Sequence, residues 1–125
     1  MRPLWREFFA GIRAEIPLLI GVFPFGMIYG VLALKAGVPS LQAQAMSAIV
    51  FAGSSQFVVT QLVSLSVPSL VIVLTIFVVN LRHALYSASI APHVQKLSPT
   101  WKLILGYLLT DEAYAVAITR YAGDE

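Results

Sequence analysis

The sequence contains no cysteine and few charged residues. Charged residues make up 11% of its 125 positions, whereas soluble globular domains contain about 25%. The lack of cysteine excludes disulfides, thiolate nucleophiles and cysteine metal sites. Hydrophobic residues make up 58% of the chain and the mean hydropathy is +0.83. This composition predicts an integral membrane protein.

Several functional classes lack their usual sequence patterns. No basic run alternates with aromatic residues, so nucleic acid is not an expected partner. Only two histidines are present, and neither belongs to an HExxH pattern or an Asp-rich loop, so we expect no metal ion and no other cofactor. The nucleotide-binding pattern G-x-x-x-x-G-K-[ST] is also missing, so any ATPase would be another protein. No internal repeat is visible in the residue pattern.

The longest uncharged run extends over 46 residues, from Ala36 to Leu81. One helix needs about 20 residues to cross a bilayer, so this run holds about two membrane segments. Successive apolar positions argue against membrane β-strands, in which apolar and polar residues alternate. Turn-forming residues divide the chain into the four apolar segments of an expected all-α membrane bundle, residues 16–34, 41–65, 68–90 and 102–122.

The ends of the chain bear on its topology. Residues 1–15 carry Arg2, Arg6 and Arg13, and the positive-inside rule places this basic segment in the cytoplasm. Residues 123–125 are expected to be a short, truncated tail. Two topologies remain open, because the segment 41–65 either crosses the membrane or forms a re-entrant pair of half-helices. The second alternative returns the loop that contains Lys96 to the cytoplasm.

Each apolar segment contains potential helix interruptions near its middle. They are Pro24 with Gly26, Gly53-Ser54-Ser55, Asn80, and Thr110-Asp111-Glu112. We expect Ser54 to cap one half-helix and Thr110 or Asp111 to cap another. Broken helices at membrane depth are tolerated where they face protein or a water-filled cavity, and in secondary transporters they form the substrate site. The four interruptions therefore predict a polar site near the midplane.

Three charged residues lie near the centres of apolar segments. Each costs about 2.5–3.5 kcal/mol at the centre of a membrane helix, so we expect Arg82 to pair with Asp111 or Glu112. The other acid would then bind an ammonium group or a proton. A purely structural ion pair and snorkelling of Arg82 to the interface are alternatives. His83 is either a proton relay or a neutral, hydrogen-bonded histidine of the bundle.

Polar residues should occupy one half of the third segment when it is wound as a helix. They are Thr75, Asn80, Arg82, His83, Tyr86, Ser87 and Ser89. We expect Asn80 and Gln56 to satisfy backbone groups that the breaks leave free. The small residues Gly26, Gly30, Ala33 and Gly37 share one helix face and predict close helix packing.

Five motifs together resemble the AzlC family of branched-chain amino acid permeases. They are Phe23-Pro24-Phe25-Gly26, Phe51 to Phe57, Asn80-Leu81-Arg82-His83 with Leu85 to Ser89, Ala91-Pro92, and Leu108 to Glu112. The resemblance covers about residues 11–120 and only the N-terminal half of the family's length. It implies a bacterial inner-membrane exporter of valine, leucine, isoleucine or their analogues, with a small membrane partner of the AzlD type.

From the resemblance, we expect the polar residues to bind a zwitterionic amino acid near the midplane. Amide groups at Gly53-Ser54-Ser55 would bind the carboxylate and one acid would bind the ammonium. Two rival functions remain. One is a non-transporting assembly module, and the other is an intramembrane hydrolase with Ser54 or Ser55 as nucleophile and His83 as base. The hydrolase lacks a G-x-S-x-G elbow, so we do not predict an enzyme.

Overall fold

The computed structural model describes residues 3–123, and every regular element in that range is a helix. The six helices are α1 (Leu4–Lys35), α2 (Ser40–Ile49), α3 (Gly53–Ser64), α4 (Ser69–Ile90), α5 (Pro99–Leu108) and α6 (Asp111–Ala122). By length and composition, α1 and α4 are able to cross a membrane. Arg2 of the basic segment and residues 124–125 of the predicted tail lie outside the described residues.

The helices form two successive sets with the same plan. Each set consists of a long helix followed by one of 10 residues and one of 12 residues, α1–α2–α3 and then α4–α5–α6. A short non-helical segment separates the short helices of each set, at residues 50–52 and 109–110. The residue pattern does not show this repeat, because the sets share the order and lengths of their helices rather than their side chains.

The chain divides into two compact units. The middle unit is Phe23–Arg82 and contains the end of α1, both α2 and α3, and the start of α4. The terminal unit contains the chain up to Val22 and from His83 onward, which includes the start of α1, the end of α4, α5 and α6. Each unit thus contains one pair of short helices and parts of both long helices.

Tyr29 lies at the centre of the core of the middle unit and contacts both short helices. Its side chain is 7% exposed, and its hydroxyl donates a hydrogen bond of 2.9 Å to the carbonyl oxygen of Ala43 in α2. Its ring centroid lies 6.2 Å from that of Phe57 in α3. Because residues of both short helices contact the same tyrosine, the chain bends between α2 and α3. Ala33 and Val38 complete this core.

The small residues in α1 and directly after it have different structural roles. Gly37 has a φ of +80° and ends the helix, where its N–H donates to Leu34 and that of Val38 donates to Ala33, as in a Schellman motif. A Cβ added at Gly26 or Gly30 would meet no atom within 4 Å. Ala33 is fully buried, and the close packing expected for the whole face stays a prediction.

In the terminal unit, α6 is joined to both long helices. Arg120 near its end donates to both carboxylate oxygens of Glu7 in α1, at 2.9 and 3.0 Å. The ring of Tyr114 stacks on Tyr86 of α4 with centroids 4.3 Å apart. Its hydroxyl also donates to the hydroxyl oxygen of Ser89 at 3.1 Å. These contacts fix both ends of α6.

Two of the four predicted interruptions are wrong. Helix α1 continues through Pro24 and Gly26, and α4 continues through Asn80. A proline removes only one backbone hydrogen-bond donor, and the backbone hydrogen bonds of the neighbouring turns keep α1 helical. The amide of Asn80 bonds to a side chain of another helix, so it does not compete for the backbone of its own helix.

The other two interruptions exist, although one is displaced. The first break lies at residues 50–52 and α3 begins directly after it at Gly53. Its N-cap is Ala52, so the prediction that Ser54 caps this helix is wrong. The chain turns before the serines, where Phe51 takes a φ of +49°. The prediction for α6 is confirmed, because the Thr110 hydroxyl accepts a bond of 3.2 Å from the N–H of Ala113.

Replacing Gly53 with alanine should destabilise the protein by about 1–3 kcal/mol through overpacking. An added Cβ would lie 2.5 Å from Cε1 of Phe25, whose ring centroid is 4.4 Å from that of Phe57. The matched control is Gly30→Ala, which should be neutral or stabilising by up to about 1 kcal/mol. Unfolding in mixed detergent micelles, followed by far-UV circular dichroism, gives both values. Equal stability of the two variants would contradict the close approach of Phe25.

Candidate functional site

The first turns of α3 bring polar side chains into the interior of the middle unit. Ser55 is 0% exposed, Gln56 7% and Thr60 2%. The hydroxyl of Thr60 donates to the carbonyl oxygen of Phe57 in its own helix, so it needs no partner elsewhere. Ser55 and Gln56 instead bond to other helices, and they mark the start of α3 as a polar region inside an apolar unit.

Two adjacent serines join α3 to α4. The hydroxyl of Ser55 donates to Oδ1 of Asn80 at 2.6 Å, and Nη2 of Arg82 donates to the hydroxyl oxygen of Ser54, also at 2.6 Å. Both α4 residues lie close to the middle of that helix. Hydrogen bonds to a guanidinium are stronger than neutral ones, so Ser54 holds a positive charge beside the start of α3.

The predicted partners of Asn80 and Gln56 need correction. We expected both amides to satisfy backbone groups that the breaks leave free. Asn80 instead bonds to the hydroxyl of Ser55, and Nε2 of Gln56 donates to the hydroxyl oxygen of Ser47 in α2 at 2.8 Å. A serine hydroxyl donates and accepts, so it suits both the oxygen of one amide and the nitrogen of another.

The backbone at the start of α3 adds a second source of positive potential. Its N-cap residue Ala52 is 5% exposed and has no side chain to cap the helix. The amide of Gln56 donates to the carbonyl oxygen of Ala52 at 3.1 Å, whereas the N–H groups of the first turn have no acceptor within a helix. Together with the helix dipole, these donors favour an anion.

Two packed aromatic rings lie beside these donors. The rings of Phe25 and Phe57 have centroids 4.4 Å apart, and Phe25 lies directly against Gly53. A side chain at position 53 would occupy the space that the ring fills. The site therefore combines backbone donors and a guanidinium with an apolar surface.

The middle and end of α4 show the expected division into two faces. Six of the seven residues in its predicted polar half are half-buried, namely Thr75, Asn80, Arg82, His83, Tyr86 and Ser89. Four residues of the opposite half are exposed, namely Leu81, Ala84, Leu85 and Ala88. Ser87 is also exposed and is the exception. The polar half of α4 thus faces protein.

The remaining candidate residues belong to the terminal unit. Asp111 and Glu112 form the first turn of α6 and are half-buried, where the positive end of the helix dipole favours their charge. His83 lies edge-on to Tyr86, with ring centroids 5.7 Å apart. The pairing of Arg82 with one of the acids stays a prediction. Within residues 3–123, no group of three or more His, Asp or Glu side chains could hold a metal ion.

Comparison with known proteins identifies the family. The model of the AzlC protein family matches residues 17–125. The chain belongs to the AzlC family. The match confirms the resemblance that the five sequence motifs indicate, and it confirms that this is a membrane protein with apolar helices.

Three relatives illustrate the similarity. The Escherichia coli K12 inner membrane protein YgaZ is 29% identical, over 90% of this chain and 46% of the relative. A membrane protein of Archaeoglobus fulgidus is 37% identical, over 86% and 47%. The Bacillus subtilis branched-chain amino acid transport protein AzlC is 28% identical, over 93% and 45%. This AzlC-family chain thus spans about half the length of these relatives. No solved structure matches it.

Some parts of the site have no clear signal in the sequence. Ser47 lies in an ordinary helical stretch, and nothing around it indicates the bond to Gln56. The approach of Phe25 to Gly53 is likewise visible only in the structure. The sequence predicts a helix break at Pro24 and Gly26, which flank Phe25. The helix continues through both residues, and Phe25 between them contributes its ring to the site.

Replacing Ser55 with alanine should lower stability by about 1–3 kcal/mol, because half-buried Asn80 loses the donor to its Oδ1. The matched control is Ser64→Ala in the same helix, since this exposed hydroxyl donates only to the local carbonyl oxygen of Gln61. The control should change stability by less than about 0.5 kcal/mol. Thermal unfolding in detergent, monitored by light scattering and intrinsic fluorescence, compares them. A cost at Ser64 equal to that at Ser55 would contradict the assignment.

Proposed function

We propose that this chain is part of a secondary transporter that exports branched-chain or similar apolar amino acids with ion coupling. The single observation that carries the proposal is the buried polar cluster at the start of α3, where a helix begins inside an apolar unit. Such starts form substrate sites in secondary transporters. Membership of the AzlC family and the name of the Bacillus relative support the choice of substrate.

In this proposal, the substrate carboxylate binds at the start of α3. The backbone amides of Gly53, Ser54 and Ser55 belong to the first turn of that helix, which offers donors and a positive dipole end. The guanidinium of Arg82, held by Ser54, adds a full positive charge. These groups are suited to a carboxylate and poorly suited to a cation.

The aliphatic side chain of the substrate would lie against Phe25 and Phe57. The Phe25 ring adjoins Gly53 and the Phe57 ring lies against that of Phe25, so an apolar group attached to a carboxylate at α3 would be within reach of them. Aromatic surfaces bind aliphatic groups without directional bonds. This arrangement would accept valine, leucine and isoleucine alike and would discriminate weakly between them.

The ammonium group and the coupling ion are assigned to the acids of α6. Asp111 and Glu112 begin this helix, which has the same place in the second set of helices as α3 in the first. Interrupted segments at corresponding positions of two repeats are the usual location of a transporter site. We propose that one acid binds the ammonium or a proton, and that His83 relays protons.

The lengths of the short helices favour the re-entrant topology. Helices α2 and α3 have 10 and 12 residues, or about 15 and 18 Å, and each is shorter than the hydrocarbon core of about 30 Å. We propose that the bend between them turns the chain back, so that they enter and leave on the same side. In that topology α1 would cross outward and α4 would return, and the N-terminus and Lys96 would lie in the cytoplasm of a bacterial cell.

We also propose that a small AzlD-like membrane subunit joins the chain in the inner membrane, as the family resemblance implies.

The rival hydrolase receives no support from the serines, because Ser55 donates to an amide oxygen and Ser54 accepts from a guanidinium. Neither of these partners is a general base that could activate a nucleophile.

Replacing Arg82 with lysine should reduce valine transport at least about tenfold, because an ammonium group lacks the planar fork of the guanidinium. Counterflow of labelled valine in proteoliposomes containing the complete transporter measures the effect. The control is Lys102→Arg, which makes the reverse exchange at an exposed residue and should leave transport unchanged. An Arg82→Lys protein that folds normally and transports valine at the original rate would rule out the guanidinium as a substrate or positioning group.

Replacing Asp111 with asparagine should abolish either ammonium binding or ion coupling while preserving the shape of the side chain. Glu112→Gln is the matched variant, and we expect the two variants to differ, because adjacent helical residues point about 100° apart. Valine export from preloaded vesicles, with and without a proton gradient, separates binding from coupling. Normal export by both variants would show that neither acid has the proposed role.

A further inference from the structure

The first three turns of α1 lie beyond the part of that helix needed to cross a membrane. The helix has 32 residues, or about 48 Å, whereas the hydrocarbon core is about 30 Å thick. Its charged residues before Lys35 are Arg6, Glu7, Arg13 and Glu15, and none occurs from Ile16 to Leu34. The segment from Leu4 to Glu15 rises about 18 Å and therefore extends from the edge of the hydrocarbon core through the lipid headgroups.

One side of this interfacial segment combines positive charge with apolar surface. A shallow groove of about 790 Å³ runs along it, and the side chains that define it are Trp5, Arg6, Phe9, Ile12, Arg13 and Ile16. Trp5 is 73% exposed and Phe9 is 61% exposed, and both arginines are exposed as well. We call this surface the α1 face.

The acids of the segment lie away from the α1 face. Glu7 bonds to Arg120 of α6, so its charge is balanced on another side of the helix. Glu15 follows Arg13 by two residues, which places it about 160° away around the helix. The α1 face therefore has two positive charges and no acid among its lining residues. The Glu7–Arg120 pair also fixes the rotation of α1 and so the direction of this face.

We propose that the α1 face binds the headgroup of an anionic phospholipid. Arg6 and Arg13 are two helical turns apart, about 10.5 Å along the axis, and would contact the phosphate groups. Trp5 is suited to the interface, where indole rings concentrate. Ile12 and Ile16 continue the surface toward the hydrocarbon and would contact the upper acyl chain. A soluble anion would not use these apolar residues, so the charge and the apolar continuation together favour a lipid.

Trp5 itself can report the binding, because the chain has two tryptophans and Trp101→Phe leaves it as the only one. The protein is reconstituted in vesicles that contain phosphatidylglycerol or phosphatidylcholine with a nitroxide spin label at the headgroup, at equal mole fraction, and quenching of Trp5 is measured. Two arginines near a membrane surface predict a preference for the anionic lipid on the order of tenfold. The preference should fall as salt is added, because exposed charges are screened.

Three variants test the proposal in the same background. Removing both charges with Arg6→Gln and Arg13→Gln should reduce the preference to about one, while Arg6→Lys with Arg13→Lys should retain most of it. The matched control, Lys96→Gln with Lys102→Gln, removes two exposed charges elsewhere in the terminal unit and should retain it fully. Circular dichroism checks that each variant is folded.

Three results would overturn the proposal. The first is equal quenching of Trp5 by the two spin-labelled lipids. The second is an unchanged preference in the folded double glutamine variant, or an equal loss in the Lys96 and Lys102 control. The third is a Trp5 that neither lipid quenches, which would mean that protein rather than lipid covers the α1 face.

Discussion

A buried polar group needs a hydrogen-bond partner, and this requirement governs the middle unit. Each such group left alone in an apolar environment costs several kcal/mol. Helix α3 begins inside that unit, so its first turn brings two serines and a set of uncapped amides into the interior. Asn80 and Arg82 of α4 supply the bonds that make this tolerable for the serines. The broken pair α2–α3 and the polar half of α4 therefore depend on each other.

The same requirement connects the fold to the transport that we propose. Where protein groups do not accept hydrogen bonds from all the N–H groups at the start of a helix, an anionic ligand can accept from the remaining ones. At the start of α3, a cationic side chain and two aromatic rings lie near uncapped amides, and this combination supports the proposed binding of an apolar amino acid. The terminal unit has an acidic helix start at the corresponding place in its set.

Sequence reasoning succeeded where a single residue type decides the outcome. Thr110 caps α6 because its hydroxyl reaches a nearby backbone donor, and this depends on only four consecutive residues. It failed at Pro24 and Asn80, where local preference predicted breaks and both long helices continue. Helix interruption depends on whether the surrounding turns and neighbouring helices can keep the backbone bonded. Proline and asparagine alone do not contain that information.

The sequence by itself determined that the chain is a helical membrane protein of the AzlC family, where its apolar segments lie, and which charges fall within them. These properties follow from composition and from the order of motifs along the chain. Only the tertiary structure decided that the chain bends between α2 and α3 around Tyr29, and that Ser54 contacts Arg82 while Ser55 contacts Asn80. Those partners are 28 and 25 residues apart, and the packing of whole helices, to which every residue contributes, determines which of them meet.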